Sequence, residues 1–181
     1  MTFPRAEIIK TLDALAGPVG PQTGFDERLE RQDRWVDEGG VELLEALLGV
    51  VASPPSEEQL QYASLDDWNT LLVEVAGVLG KRYPEVALQR LLPLLDDDHT
   101  RAAAVDMLGS VGDARAVPRF GQLMQGRGLD EADLVRLAGA LGEIGGDDAC
   151  RLLAQLWQAV TPTQQELRRE IDIAVQSACC G

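Results

Sequence analysis

The sequence predicts an all-α protein: an α-solenoid of stacked antiparallel helix pairs with an irregular helical cap at its N-terminal end. Three observations predict it. First, one phrase recurs at Leu71, Arg101 and Leu134, placing Leu79-Gly80, Leu108-Gly109 and Leu141-Gly142 at corresponding points, 29 and 33 residues apart. A period of that size marks an array of helical hairpins. Second, the three copies align without gaps. Ala87, Ala116 and Ala149 correspond, as do Leu88, Val117 and Cys150; Leu91, Phe120 and Leu153; and Leu94, Leu123 and Leu156. Each set is small or apolar, and steps of three or four within a copy trace one helix face. Third, 45% of the 181 residues are apolar but only 4% are aromatic, so the core is made of Leu, Ala and Val, which suit closely spaced helices.

Taken in order, residues 4–16 form a first helix. "GPVGPQTG" at 17–24 is a turn-rich break. A charged helix follows over 25–38, with Phe25, Leu29 and Val36 on one stripe, and an apolar helix over 41–52; "SPPSEE" at 53–58 breaks the chain again. Residues 1–65 thus read as irregular helices that shield one end of a stack. Residues 66–160 hold three repeats, with first helices at 66–80, 98–110 and 130–144 and second helices at 84–95, 113–125 and 147–160. A last helix at 163–178, within 161–181, covers the far end, and the whole chain reads as one domain. Gly80, Gly109 and Gly142 are expected to let helix backbones approach, while Gly112, Gly145 and Gly146 end helices. Pro84 suits a first turn. Asp113 stands where its carboxylate can accept from the exposed N–H groups of a second helix, and Asp147 and Asp148 oppose the positive end of the next.

The net charge is −14, divided evenly: residues 1–65 carry 5 basic and 12 acidic side chains, and 66–181 carry 11 and 18. Such a surface repels phosphate, and only Lys10 and Lys81 among the 16 basic residues are lysines, which argues against nucleic acid as a partner. No apolar run is long enough to cross a membrane, and the N-terminal stretch, with Glu7, Lys10 and Asp13, lacks the uncharged centre of a secretory signal. A cytoplasmic location is the expectation. The three cysteines show no spacing pattern, so they are expected to be reduced, with Cys150 a small buried apolar residue and Cys179-Cys180 an incidental pair.

The pattern of Arg101, Ala102-Ala103-Ala104, Leu108-Gly109, Val111, Gly112-Asp113 and Ala116-Val117 resembles HEAT-like repeats of the short bacterial type, first described in phycobilisome lyase subunits. The 134–157 copy keeps Leu141-Gly142, Ile144, Gly145 and Ala149, but it inserts Gly146 and has Arg136 two positions late. The 71–95 copy keeps Leu79-Gly80, Ala87 and Leu88. The resemblance covers about 95 residues. It implies a helical-repeat fold whose members range from chromophore lyases to binding scaffolds and toxin-neutralising immunity proteins.

No reactive constellation stands out. His99, the one histidine, lies in "DDDHTR", where consecutive side chains diverge rather than converge on a metal; the aspartates read as helix-start residues. No glycine-rich phosphate loop follows a strand. Trp157 aligns with Leu95 and Met124 and is expected in the core, Trp68 stands near a first-helix start, and Trp35 is the candidate exposed anchor. On the second helices, Arg115, Arg119 and Gln122 are spaced i, i+4, i+7; Arg90 aligns with Arg119 and Gln155 with Gln122. They form a basic and amide strip on what is the concave face in such arrays, suited to an acidic or extended peptide. The expected function is a non-catalytic scaffold for protein–protein interaction, with no cofactor and no metal. The alternatives are a subunit of a lyase or chromophore-handling enzyme, which the resemblance implies, and an immunity-type inhibitor of a basic effector.

Overall fold

The computed structural model describes residues 3–18, 25–126 and 128–179, and every regular element among them is helical. Among the described residues nine α-helices follow one another: α1 Arg5–Ala16, α2 Phe25–Val51, α3 Leu65–Arg82, α4 Pro84–Leu91, α5 Arg101–Val111, α6 Val117–Gln125, α7 Glu131–Ile144, α8 Gly146–Ala159 and α9 Gln165–Cys179. Short 3-10 helices cover Glu57–Gln59, Leu92–Asp96 and Ala114–Ala116. The helix positions expected from the repeat are therefore present, within a few residues. The turn-rich stretch at 19–24 lies outside the described residues.

Local chemistry explains most boundaries. Ser64 accepts the Asp67 N–H at the start of α3, and Asp130 and Asp133 form a reciprocal capping box at the start of α7. Asp113 accepts the Arg115 N–H at 2.9 Å, the capping role expected of it. Prolines account for the two places where a second helix is part 3-10. Pro93 cannot donate to residue 89 and crowds its carbonyl, so α4 stops at Leu91 and tightens into Leu92–Asp96. Pro118 does the same to residue 114, so α6 starts at Val117, after the turn Ala114–Ala116. Helix α2 is broken at Gly40, whose φ of 56° and ψ of −147° are not helical, so it is in effect the two expected helices end to end.

Backbone contacts divide the chain into two compact units, Met1–Ala87 and Leu88–Gly181, with the boundary inside α4. In the first unit α1, α2 and α3 pack on one another. Their core is Ile8, Leu12, Leu43, Leu44, Leu47, Trp68, Val75 and Leu79. Trp68 is fully enclosed, its indole N–H directed at the Ile9 carbonyl at 3.4 Å. The segment before α3 is pinned by one carboxylate. Asp13, 4% exposed, accepts the backbone N–H groups of Gln61, Tyr62 and Ala63 at 2.8, 3.0 and 2.9 Å. Gly17 belongs to the same contact: a Cβ there would lie 2.6 Å from Tyr62 Cβ.

In the second unit the repeat becomes a packing rule. Helix α5 packs on α7, and α7 on α9. A Cβ on Gly109 would sit 2.8 Å from Ala140 Cα, and one on Gly142 would sit 2.9 Å from Ala174 Cα. These glycines thus allow neighbouring backbones to touch, as the Leu-Gly pairs suggested. Along α5 and α7 the contacts advance in step, from Asp106–Arg136 to Gly109–Ala140, so these two helices run the same way. Gly112, with φ 71°, closes α5 in the left-handed conformation. The equivalent leucines Leu108 and Leu141, alanines Ala116 and Ala149, and Phe120 and Leu153 are all buried.

Arg101 has a physical role in this pattern. Its Nε donates to the Leu95 carbonyl at 3.1 Å, its guanidinium binds Asp98, and Nη1 lies 4.0 Å from Asp133 at the start of α7. One side chain therefore ties the preceding 3-10 helix, its own helix and the next first helix together.

The cysteines depart from expectation. Cys150 at the start of α8 and Cys179 at the end of α9 are joined by a disulfide, with their Cα atoms 5.9 Å apart. The start of α8 and the end of α9 are adjacent because α9 packs back on both α7 and α8, a tertiary contact that spacing alone does not disclose. Cys180 lies outside the described residues.

Two measurements check this account. Gly109→Ala is expected to lose about 1–3 kcal/mol, because the added methyl meets backbone. Gly49→Ala, at an exposed position of α2 with nothing within 4 Å of the new methyl, should gain up to about 1 kcal/mol from helix propensity. Urea denaturation of both variants separates the effects. For Asp13, burial raises its pKa, but the N–H groups of Ala63, Tyr62 and Gln61 outweigh that and hold it below the ordinary 3.8. A lowered native pKa means that its stabilisation is complete above 3.8 and is lost as pH falls through the native value. Asp13→Ala should destabilise by about 1–3 kcal/mol at pH 7 and shrink the acid-induced loss of stability below pH 4.

Candidate functional site

The strip inferred from the sequence can be located residue by residue. Arg90, Arg119, Gln122 and Gln155 lie in the second unit on α4, α6 and α8, while Arg115 lies in the 3-10 turn just before α6. Arg90, Arg115, Gln122 and Gln155 are exposed and Arg119 is half-buried. Helix α8 lies against α6 through Leu152, which would touch a Cβ on Gly121 at 3.3 Å. On α8, Arg151, Ala154, Gln155 and Gln158 face solvent. Trp35, half-buried on α2, belongs to the first unit.

The electrostatics of the strip differ from a run of bare arginines. Arg119 Nη2 pairs with Asp96, and its Nη1 donates to Gln122 Oε1 at 2.8 Å. Arg115 grips Asp113 with Nε at 2.9 Å and Nη2 at 2.7 Å. The guanidinium fork of Arg115 is the main reason the Asp113 carboxyl sits below its ordinary pKa; burial opposes, and the Arg115 backbone N–H adds to the lowering. Asp96 and Asp113 therefore share the strip with the arginines. The face presents ion pairs, and amides at Gln122 and Gln155, a group that can both donate and accept. Such a surface can hydrogen-bond a peptide backbone or a carboxylate.

Across the first-helix side, Arg136 binds Asp106 at 2.5 Å. Burial of Asp106 raises its pKa, with Arg136 opposing through charge and hydrogen bond. This pair holds α5 to α7.

Trp157 is not in the core as alignment with Leu95 suggested: it is 39% exposed, and the Arg168 guanidinium lies 5.1 Å over its ring. The reason is helix geometry. Leu95 belongs to a 3-10 helix, which turns more per residue and carries that position inward. Helix α8 stays α-helical to Ala159 and leaves Trp157 on its flank beside α9. Arg168 Nε is buried without a hydrogen-bond partner. Sequence reading missed this stacked pair, because residues 157 and 168 meet only when α9 folds back.

The His99 side chain is exposed, and the turn around it is held by Asp97, which accepts the His99 N–H at 2.9 Å, and by Thr100, whose hydroxyl donates to the Leu94 carbonyl at 2.8 Å. Among the described residues no three His, Cys, Asp or Glu side chains converge as metal ligands would. Among them, too, no helix is long and apolar enough to cross a membrane. Compared with known proteins, the chain matches no family model, no curated protein and no solved structure.

The dual role of Asp113 as cap and ion-pair partner can be separated. Asp113→Asn keeps an acceptor for the Arg115 N–H and should cost a few tenths of a kcal/mol, whereas Asp113→Ala should cost about 1 kcal/mol. Because the native pKa is lowered, the wild-type advantage over Asp113→Asn should be lost as pH falls from 3.8 through the native value, while the part of its advantage over Asp113→Ala that comes from the cap acceptor persists. Thermal melts of the three proteins across pH test both statements.

Proposed function

We propose that this chain is a non-catalytic protein-interaction scaffold: a HEAT-like α-solenoid of antiparallel helix pairs that binds a partner protein or peptide on its second helices. The observation that carries the reading is the repeated backbone contact in the second unit, where Gly109 meets Ala140 and Gly142 meets Ala174 about one repeat further along the chain. Stacking of equivalent helices at a constant offset builds a long, regular surface without any reactive group, which is how helical-repeat proteins recognise partners. Support for the location comes from the exposed row of Arg90, Arg115, Gln122 and Gln155, with Arg119 between. Its amides and charge-paired guanidiniums suit an extended peptide that supplies carbonyl and carboxylate acceptors.

Because Asp96 and Asp113 already pair with the arginines, reversal to Glu would add repulsion within the protein. The cleaner test is the triple variant Arg90→Gln, Arg115→Gln, Arg119→Gln. Exposed pairs contribute about 0.2–1 kcal/mol each, so its melting temperature should fall by only a few degrees. A protein captured from the source cell by wild type and identified by mass spectrometry should be lost with the triple variant. Equal capture by both would reject the second-helix face as the binding surface.

A further inference from the structure

Helix α9 is held at three places along its length. Near its start, Arg168 stacks on Trp157 near the end of α8. From its first turn to its middle, Leu167, Ile171 and Ala174 are buried, and Ala174 lies against Gly142 of α7. At its end, Cys179 is bonded to Cys150 at the start of α8. Beyond the first two anchors the last turn is packed only lightly: the Ala178 backbone lies beside Gly145 at the end of α7, where an added Cβ would stand 3.7 Å from the Ala178 carbonyl oxygen. Beyond Ala174, Val175 and Ala178 are only half-buried, and Gln176, Ser177 and Cys179 are exposed. No side chain of α9 after Ala174 is fully buried, so the disulfide is the one covalent constraint on that turn, beside the light contact of Ala178 with Gly145.

We propose that the Cys150–Cys179 disulfide is a redox-controlled staple: a small thiol of the glutathione class opens it, releasing the last turn of α9 and uncovering the Cys150 thiol, while the rest of α9 stays docked. The exposure of Cys179 makes its sulfur the accessible target; Cys150 is half-buried. A thiolate attacks Cys179 Sγ, forming a mixed disulfide and expelling the Cys150 thiolate. A second thiolate attacks the mixed disulfide, leaving the Cys179 thiolate and a small-molecule disulfide; both protein thiolates then take protons from solvent. Two electrons pass to the protein and two small thiols are oxidised, and the reverse exchange closes the staple. Release stays local because apolar burial at Leu167, Ile171 and Ala174 does not depend on the bond. In a reducing compartment such as the cytoplasm the open form is the expected one, and in an oxidising compartment the closed form.

The test uses the full chain with Cys180→Ser, so that a third thiol cannot exchange. Alkylation without reductant should leave Cys150 and Cys179 unlabelled after air oxidation, and reduction should make both reactive. Amide hydrogen exchange followed by peptide mass spectrometry should then show residues 175–179 exchanging at least about tenfold faster on reduction, with 167–174 changed by less than about twofold. The Cys150→Ser, Cys180→Ser protein should show the fast pattern with or without reductant. Full labelling of the oxidised protein would overturn the proposal. So would unchanged exchange at 175–179 on reduction, or equal acceleration along all of α9.

Discussion

The second unit depends on backbone touching backbone. Where α5 meets α7 and α7 meets α9, a glycine on one helix faces an alanine on the next, and a single added methyl would sit less than 3 Å from main-chain atoms. Close approach of this kind brings the flanking leucines, Leu108 and Leu141, into full burial and leaves little room for aromatic side chains. The two contacts, Gly109 on Ala140 and Gly142 on Ala174, follow one another along α5, α7 and α9. Arg101 can reach Leu95 on one side and Asp133 on the other because the next first helix stands one step away.

Much of the acidic charge is used structurally. Asp13 gathers three backbone N–H groups in the first unit, Asp113 and Asp130 cap helices, and Asp106 holds α7 through Arg136. Asp96 reaches Arg119 and tempers the positive strip on α6. A carboxylate that accepts several N–H groups remains charged while buried, because those dipoles replace the water it lost. That explains why Asp13 sits at a nearly closed position with its pKa lowered, while Asp106, whose partner is a half-exposed arginine, is raised. The charge of −14 is therefore a poor guide to the field at any one surface.

The α8–α9 edge joins three kinds of interaction with different dependence on surroundings. Apolar burial at Leu167 and Ile171 is indifferent to redox state, the Arg168–Trp157 stack rests on a guanidinium over a ring face, and the Cys150–Cys179 bond depends on the ambient thiol pool. Layering them along one helix lets its end respond to chemistry that its middle does not sense.

How much could be read from the chain divides by distance along it. Helix positions, the capping role of Asp113, the first-turn place of Pro84, the approach function of Gly109 and Gly142, and the buried register of Ala116, Ala149, Phe120 and Leu153 were all legible, because periodicity and capping act over three or four residues. The strip residues were placed on exposed surface, but their partners Asp96 and Asp113 were not foreseen. The grip of Asp13 on residues 61–63, the disulfide from Cys150 to Cys179 and the emergence of Trp157 onto a flank were not legible either. Each depends on where a distant segment returns. The sequence by itself determined that helices form, where they end and which faces are greasy, since those follow from local sterics and hydrogen bonding. Only the tertiary structure decided which carboxylate meets which cation and which thiols meet, because pairing energies act through space and a chain carries no local mark of its distant neighbours.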